Sequence, residues 1–78
     1  MNPYLILSKS FVMFDGSKPD LTVGSKYEIV CSFFDYIFEV QACQILDDKG
    51  IVRTFYRGIW FSQHFTVHGD VDSVLEQI

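Results

Sequence analysis

Ser62 and His64 are the residues of this chain that most resemble a nucleophile and its general base. They lie two residues apart and would share one face of a strand, so the hydroxyl could reach the imidazole. A hydrolytic site also needs a group that orients the base, and the sequence marks no carboxylate for that role. We therefore predict surface polar residues on an edge strand, and no enzymatic activity.

Four sulfur and nitrogen side chains could in principle form a zinc site: Cys31, Cys43, His64 and His68. No pair among them has the close Cys-x-x-Cys spacing typical of such sites. Asp70 and Asp72 lack the later oxygen ligands and the glycine of a calcium loop. We expect no metal and no other cofactor.

The two cysteines allow two interpretations. Cys31 and Cys43 could form a disulfide if they fall on neighbouring strands of a hairpin. Two cysteines are far fewer than a disulfide-stapled secreted domain of this size contains. The favoured prediction is that both are reduced, buried and act as small hydrophobic side chains.

Arginines and rings alternate along one predicted strand, at Arg53, Phe55 and Arg57, with Tyr56 between them. Such a stripe is typical of surfaces that neutralise phosphates and stack bases. The chain has 6 Lys and Arg against 10 Asp and Glu, a formal net charge of −4, which disfavours a polyanionic partner. The stripe is an alternative nucleic-acid site. The favoured interpretation is a solvated face whose arginines pair with Glu28, Glu39 or Asp48.

Aromatic residues make up 17% of the chain, and each large ring brings ~150–250 Å² of surface that a core must cover. A domain of 78 residues cannot bury all of them, so we expect some to bind another protein. The predicted partner-binding residues are Phe34, Asp35, Tyr36, Phe38, Glu39, Tyr56 and Trp60. Asp47 and Asp48 are expected to extend an acidic rim toward a basic partner surface. Trp60 has a competing role as a plug of the core.

Strands would position these residues. Apolar, β-rich segments separated by turn residues predict strands at Tyr4–Phe14, Lys26–Phe34, Ile37–Leu46, Ile51–Tyr56 and Phe61–Val67. Asp15–Asp20 reads as a surface loop, Asp47–Gly50 as a hairpin turn and Arg57–Trp60 as a single helical turn.

Alternation within the strands predicts which side chains share a face. On the second strand the expected core face is Tyr27, Ile29, Cys31 and Phe33. On the fourth, Val52, Thr54 and Tyr56 oppose Ile51, Arg53, Phe55 and Arg57. Beyond Gly69 an apolar helical face is expected, formed by Val71, Val74, Leu75 and Ile78.

The pattern Leu-Thr-x-Gly-x-x-Tyr-Glu-Val, then an acidic-glycine hairpin, then an aromatic strand leading into a Trp/Phe turn, resembles the small SH3-like barrels encoded by bacteriophages and prophages. The matching residues are Leu21, Thr22, Gly24, Tyr27, Glu28, Ile29, Asp47, Asp48, Gly50, Tyr56, Trp60 and Phe61. The resemblance implies a mainly β fold: one SH3-like barrel of about five strands over residues 1–78, with a helical tail from about residue 69. The chain departs from the family in its helical tail and in its unusually aromatic central hairpin.

Many short phage proteins inhibit bacterial immunity or redirect host machinery. The resemblance therefore implies a stoichiometric inhibitor of a host or antiphage defence protein, acting in the host cytoplasm. No signal-peptide pattern and no apolar run of ~20 residues is visible, so we expect no membrane association. The alternative function is a nucleic-acid-binding module. Self-association through the tail face or an open strand edge is a further expectation.

Overall fold

A computed structural model describes residues 2–69. It contains one short helix, α1 (Ile59–His64), and five strands: β1 (Tyr4–Leu7), β2 (Lys26–Asp35), β3 (Val40–Leu46), β4 (Val52–Tyr56) and β5 (Phe65–His68). The mainly β architecture of five strands predicted from the sequence is confirmed. The predicted helical face of Val71, Val74, Leu75 and Ile78 lies outside the described residues.

The strands form one antiparallel sheet in the order β4-β3-β2-β1-β5. Within residues 2–69 no ladder joins β4 to β5, so these two strands are the edges of the sheet. The sheet is nevertheless strongly curved, because Phe55 of β4 and Phe65 of β5 bring their ring centroids to 4.8 Å across the core. Side-chain packing and not backbone pairing brings the two edges together.

All five predicted strands have different bounds in the structure, and the first and the last differ most. The first ends at Leu7. The N–H of Ser8 still donates to the carbonyl of His64, the next position of the β1–β5 register, but His64 belongs to α1 and the ladder stops there. The last begins at Phe65, because the helical turn predicted at 57–60 continues to His64. Within the described residues, no helix is long and apolar enough to cross a membrane.

A β-bulge in β2 changes which side chains of that strand face the core. Ile29 pairs with Ile45, but Cys31 pairs with Gln44, so Val30 is the extra residue. The prediction of a continuous core face is correct for Tyr27 and Ile29 and wrong beyond them. Cys31 turns outward and is exposed.

The core is built from strand residues and the helix. Its buried members are Leu5, Leu7, Tyr27, Ile29, Cys43, Ile45, Phe61 and Phe65, with Phe11, Leu21 and Phe55 packed against them. Phe61 and Phe65 are four residues apart across the end of α1, which puts both rings on the same side at 5.3 Å between centroids. A short chain thus fills its core with few, large side chains.

Candidate functional site

The end of the β2–β3 hairpin carries a cluster of exposed apolar side chains, which we call the aromatic tip: Phe34, Tyr36, Ile37, Phe38 and Tyr56. Tyr36, Ile37 and Phe38 are 85%, 87% and 69% exposed. They occupy the four-residue turn that follows β2, where the hairpin extends past the buried core. Three adjacent large apolar side chains in contact with water are unusual for a small soluble domain.

A single carboxylate organises the turn that presents them. Oδ1 of Asp35 accepts hydrogen bonds from the backbone N–H groups of Ile37 at 2.9 Å and Phe38 at 3.1 Å. An aspartate that caps the following residues in this way fixes the turn locally. Asp35 therefore positions the tip as well as giving it negative charge.

Edge-to-face contacts join four rings of the tip in two separate pairs, and the strand register puts Phe34 and Tyr56 on opposite faces of the sheet. Phe34 and Tyr36 have centroids 5.0 Å apart, and Phe38 meets Tyr56 of β4 at 5.8 Å with an interplanar angle of 74°. Tyr56 pairs with Ala42 of β3, a small residue that leaves room for the ring on that face. The tip thus presents rings already fixed in position, which reduces the entropy cost of binding.

Glu39 closes the turn in an uncommon backbone conformation. Its φ angle is 55°, the left-handed region, and Glu39 is the non-glycine residue of the described chain found there. For a residue with a Cβ atom this costs roughly 1–2 kcal/mol. A left-handed residue at the end of a hairpin loop is a common turn geometry, and glycine usually fills the position.

The structure separates Trp60 from the partner-binding residues predicted on the β2–β3 hairpin, while Trp60 and Tyr56 line a common cleft. Its indole stacks on His64 at 4.4 Å between centroids and meets Phe11 at 4.9 Å, away from the tip. Trp60 is partly exposed, so it neither plugs the core nor joins the tip. It belongs to a second apolar surface.

We call this second surface the edge groove. It runs along β4 opposite the segment that follows β1, with a main cleft of about 680 Å³. A smaller cleft of about 240 Å³ continues it beside Val52 and shares Phe11 and Met13 with the main one. Its exposed apolar side chains are Val12, Phe14, Val52, Tyr56, Ile59 and Trp60.

The alternating arginines of β4 do not form one exposed stripe. Arg53 donates from Nε to Oδ2 of Asp47 at 3.0 Å, and Phe55 packs against the core. Arg57 is exposed, and Tyr56 lies on the opposite face of the strand. The pairing partner of Arg53 is Asp47, which differs from the predicted Glu28, Glu39 or Asp48.

Asp47 does not contribute to the acidic rim predicted for the partner surface. Its side chain is fully buried and accepts hydrogen bonds from the N–H groups of Lys49 and Ile51 as well as from Arg53. Burial acts to raise the pKa of Asp47, but these donors and the arginine charge outweigh it and lower the pKa below its usual value. This carboxylate builds the hairpin turn.

Asp48 is also engaged in local structure. Oδ1 of Asp48 accepts the Tyr27 hydroxyl at 2.8 Å, and Oδ2 accepts the Thr22 hydroxyl at 2.9 Å. The acidic groups that remain beside the aromatic tip are Asp35 and Glu39. The predicted rim is therefore smaller and lies at the tip itself.

The side chains considered for catalysis are both engaged with backbone carbonyl groups. Ser62 Oγ donates to the carbonyl of Ile59 at 2.9 Å, and His64 Nδ1 lies 2.8 Å from the carbonyl of Trp60. Both residues lie on α1 and not on a strand, and His64 is buried. Among residues 2–69, no group of three or more His, Cys, Asp or Glu side chains converges as for a metal.

Both cysteines are free, and the prediction that both are buried is correct for one of them. Cys43 is buried and Cys31 is exposed. Cys43 pairs with Ser32 while Cys31 pairs with Gln44, so the two thiols point to opposite faces of the sheet. This geometry excludes the disulfide considered from the sequence.

Sequence reasoning found the tip but missed Ile37, the most exposed of its large side chains, because it was assigned to the next strand. It also missed the edge groove. The segment Phe11–Phe14 was predicted to be strand, and its contact with β4 is a long-range feature that local pattern does not contain.

Comparison of the chain with protein-family models, with curated proteins and with solved structures found no match.

Proposed function

We propose that this chain acts by stoichiometric binding of another protein, with the aromatic tip as the contact surface. The observation that carries the proposal is the exposure of Tyr36, Ile37 and Phe38 on a turn that Asp35 holds in place. Pre-positioned rings surrounded by polar groups are the features that concentrate binding energy in protein interfaces. An enzyme would instead need converging reactive groups.

The partner surface would be apolar at its centre and basic around it. Asp35 and Glu39 flank the rings, and the chain as a whole carries a formal charge of −4. Charges at the rim of an interface act mainly on the rate of association and on its salt dependence. Binding should therefore slow as ionic strength rises, with a smaller effect on dissociation.

The resemblance to phage-encoded SH3-like barrels supports a more specific target, a host or antiphage defence protein. The mechanism would be occlusion: the tip covers a functional surface of the target, and no chemical step is required. Inhibition would then follow the fraction of target bound and would saturate at one chain per site.

The test compares capture from a bacterial lysate by the wild-type chain and by a Tyr36→Ala, Phe38→Ala double variant. Val23→Ala, Val30→Ala is the matched control, because both valines are about half exposed and lie outside the tip. Circular dichroism establishes that all three chains are folded. We expect the double variant to lose a protein that wild type and control both retain.

Two results would overturn the proposal. If the folded double variant captures the same proteins in the same amounts, the tip is not the contact surface. If the chain instead binds single-stranded DNA or RNA with strong salt dependence, and Arg57→Ala abolishes that binding, the nucleic-acid alternative is favoured.

A further inference from the structure

We propose that the free edge of β4 pairs with the same edge of a second copy of this chain, in an antiparallel two-fold dimer centred on Thr54. This inference concerns the backbone edge of β4, which shares Tyr56 with the aromatic tip, and it does not depend on the protein partner proposed above. It rests on the hydrogen-bonding pattern of β4, on the side chains that self-pairing brings together, and on the apolar area beside the edge.

The hydrogen-bonding pattern identifies which backbone groups are free. Asp47 N–H donates to the carbonyl of Ile51, and Arg57 N–H donates to the carbonyl of Gln41, at the two ends of the β3–β4 ladder. In an antiparallel ladder the bonded residues alternate, so Val52, Thr54 and Tyr56 point their N–H and C=O groups away from β3. Among residues 2–69, none of these groups has a hydrogen-bond partner.

Pairing about Thr54 would satisfy each of these groups with the matching group of the second copy. Thr54 would lie opposite Thr54 of the other chain, and Val52 would lie opposite Tyr56. Each such pair exchanges both of its N–H···O bonds. Threonine pairs and pairs of an aromatic with a β-branched residue are favourable neighbours across strands.

Charges do not oppose this pairing. In the same register Arg53 would face Phe55 of the second copy, and the Arg53 guanidinium is already paired with Asp47 of its own chain. Residues 52–56 contain no proline and no lysine, the residues that commonly protect an edge strand from pairing. The edge therefore carries few features that discourage self-association.

Apolar area beside the edge adds to the contact. The three aromatic side chains of the edge groove, Phe14, Tyr56 and Trp60, alone leave on the order of 300–500 Å² accessible, taking ~150–250 Å² for a whole ring. Phe14 is fully exposed and Ile59 nearly so. A standard interface covers ~800 Å² per partner, and the largest apolar patch on a typical monomer is ~300–600 Å².

The first test is the solution mass of the full chain by sedimentation equilibrium, with two variants at one position. Thr54→Pro removes the outward N–H and keeps the backbone bonds between β3 and β4, so we expect a monomer. It also loses the hydrogen bond that Thr54 Oγ1 accepts from Gln44 Nε2. Thr54→Val loses the same side-chain bond but keeps the N–H, and it should remain a dimer like the wild type. A wild-type chain that is monomeric at ~100 µM, well above the concentrations of ordinary specific complexes, overturns the proposal.

The second test does not depend on the proline variant folding. In a Cys31→Ser background, Thr54→Cys places two thiols opposite each other across the two-fold axis, roughly 5–6 Å apart between Cα atoms. Val52→Cys is the control, because its two introduced thiols would lie four residues apart along the paired strands. We expect a short bis-maleimide to link the first variant and not the second.

The remaining outcomes also decide the question. A dimer that survives Thr54→Pro, or one in which Thr54→Cys is not linked, forms through another surface and overturns the proposal. Reduced protein capture by the Tyr36→Ala, Phe38→Ala variant is measured separately, so the two proposals can fail independently.

Discussion

The phenol of Tyr27 donates a 2.8 Å hydrogen bond to Oδ1 of Asp48, across 21 residues of sequence. The same hydroxyl oxygen accepts the backbone N–H of Thr22 at 2.6 Å. One core tyrosine thus ties the turn before β2 to the hairpin turn after β3. Burial raises the pKa of the phenol, the Thr22 N–H opposes this, and the bond to the Asp48 carboxylate adds to the increase.

Tyr27→Phe should destabilise the fold by about 1–2 kcal/mol, because it removes two hydrogen bonds and leaves the Thr22 N–H without its acceptor. Urea unfolding followed by circular dichroism measures the change. Asp48→Ala and the double variant complete a thermodynamic cycle. If the two single effects simply add, Tyr27 and Asp48 are not energetically coupled.

Asp47→Asn should make the free energy of unfolding less dependent on pH in the acidic range. The pKa of Asp47 is lowered in the folded chain, so its contribution is fully present above the unfolded value near 3.8. It is lost as the pH falls through that value toward the folded pKa. In urea unfolding between pH 7 and pH 3, the free energy of unfolding of the wild type should exceed that of the variant at neutral pH. The difference between the two free energies should narrow at acidic pH. A constant difference would contradict the assignment.

The turns and strands of this fold were largely predictable because their signals are local. The Asp47–Gly50 turn was predicted from residue types, and Gly50 takes the left-handed φ of 78° that closes it. Three of the twelve residues that carry the resemblance, Thr22, Tyr27 and Asp48, form one hydrogen-bonded group. Their order in the sequence therefore marks a tertiary contact of this fold.

The other structural features depend on tertiary contacts that the alternation of polar and apolar residues does not encode. The bulge at Val30 reverses the faces of β2, and nothing in the residue types marks it. Asp47 was predicted to be exposed because it is charged, yet three donors make its burial favourable. Trp60 is left at the surface because Phe61 and Phe65 already occupy the core beside α1.

Glu39→Gly should stabilise the fold by roughly 0.5–1 kcal/mol, because relief of the left-handed strain exceeds the added entropy of the unfolded chain. Tyr36→Gly in the same turn is the control and should be slightly destabilising, since its φ is not positive. Thermal unfolding measures both. A destabilised Glu39→Gly would show that the glutamate side chain makes stabilising contacts that offset the strain.

The two thiols should differ strongly in reactivity. Cys31 is exposed, whereas burial raises the pKa of the Cys43 thiol to about 11, so little reactive thiolate forms at pH 8. A native chain treated with a maleimide at that pH should gain one label quickly, and mass spectrometry of peptides should place it on Cys31. The second label should appear only in guanidinium. A Cys31→Ser chain that reacts as fast as wild type would contradict the burial of Cys43 inside the sheet.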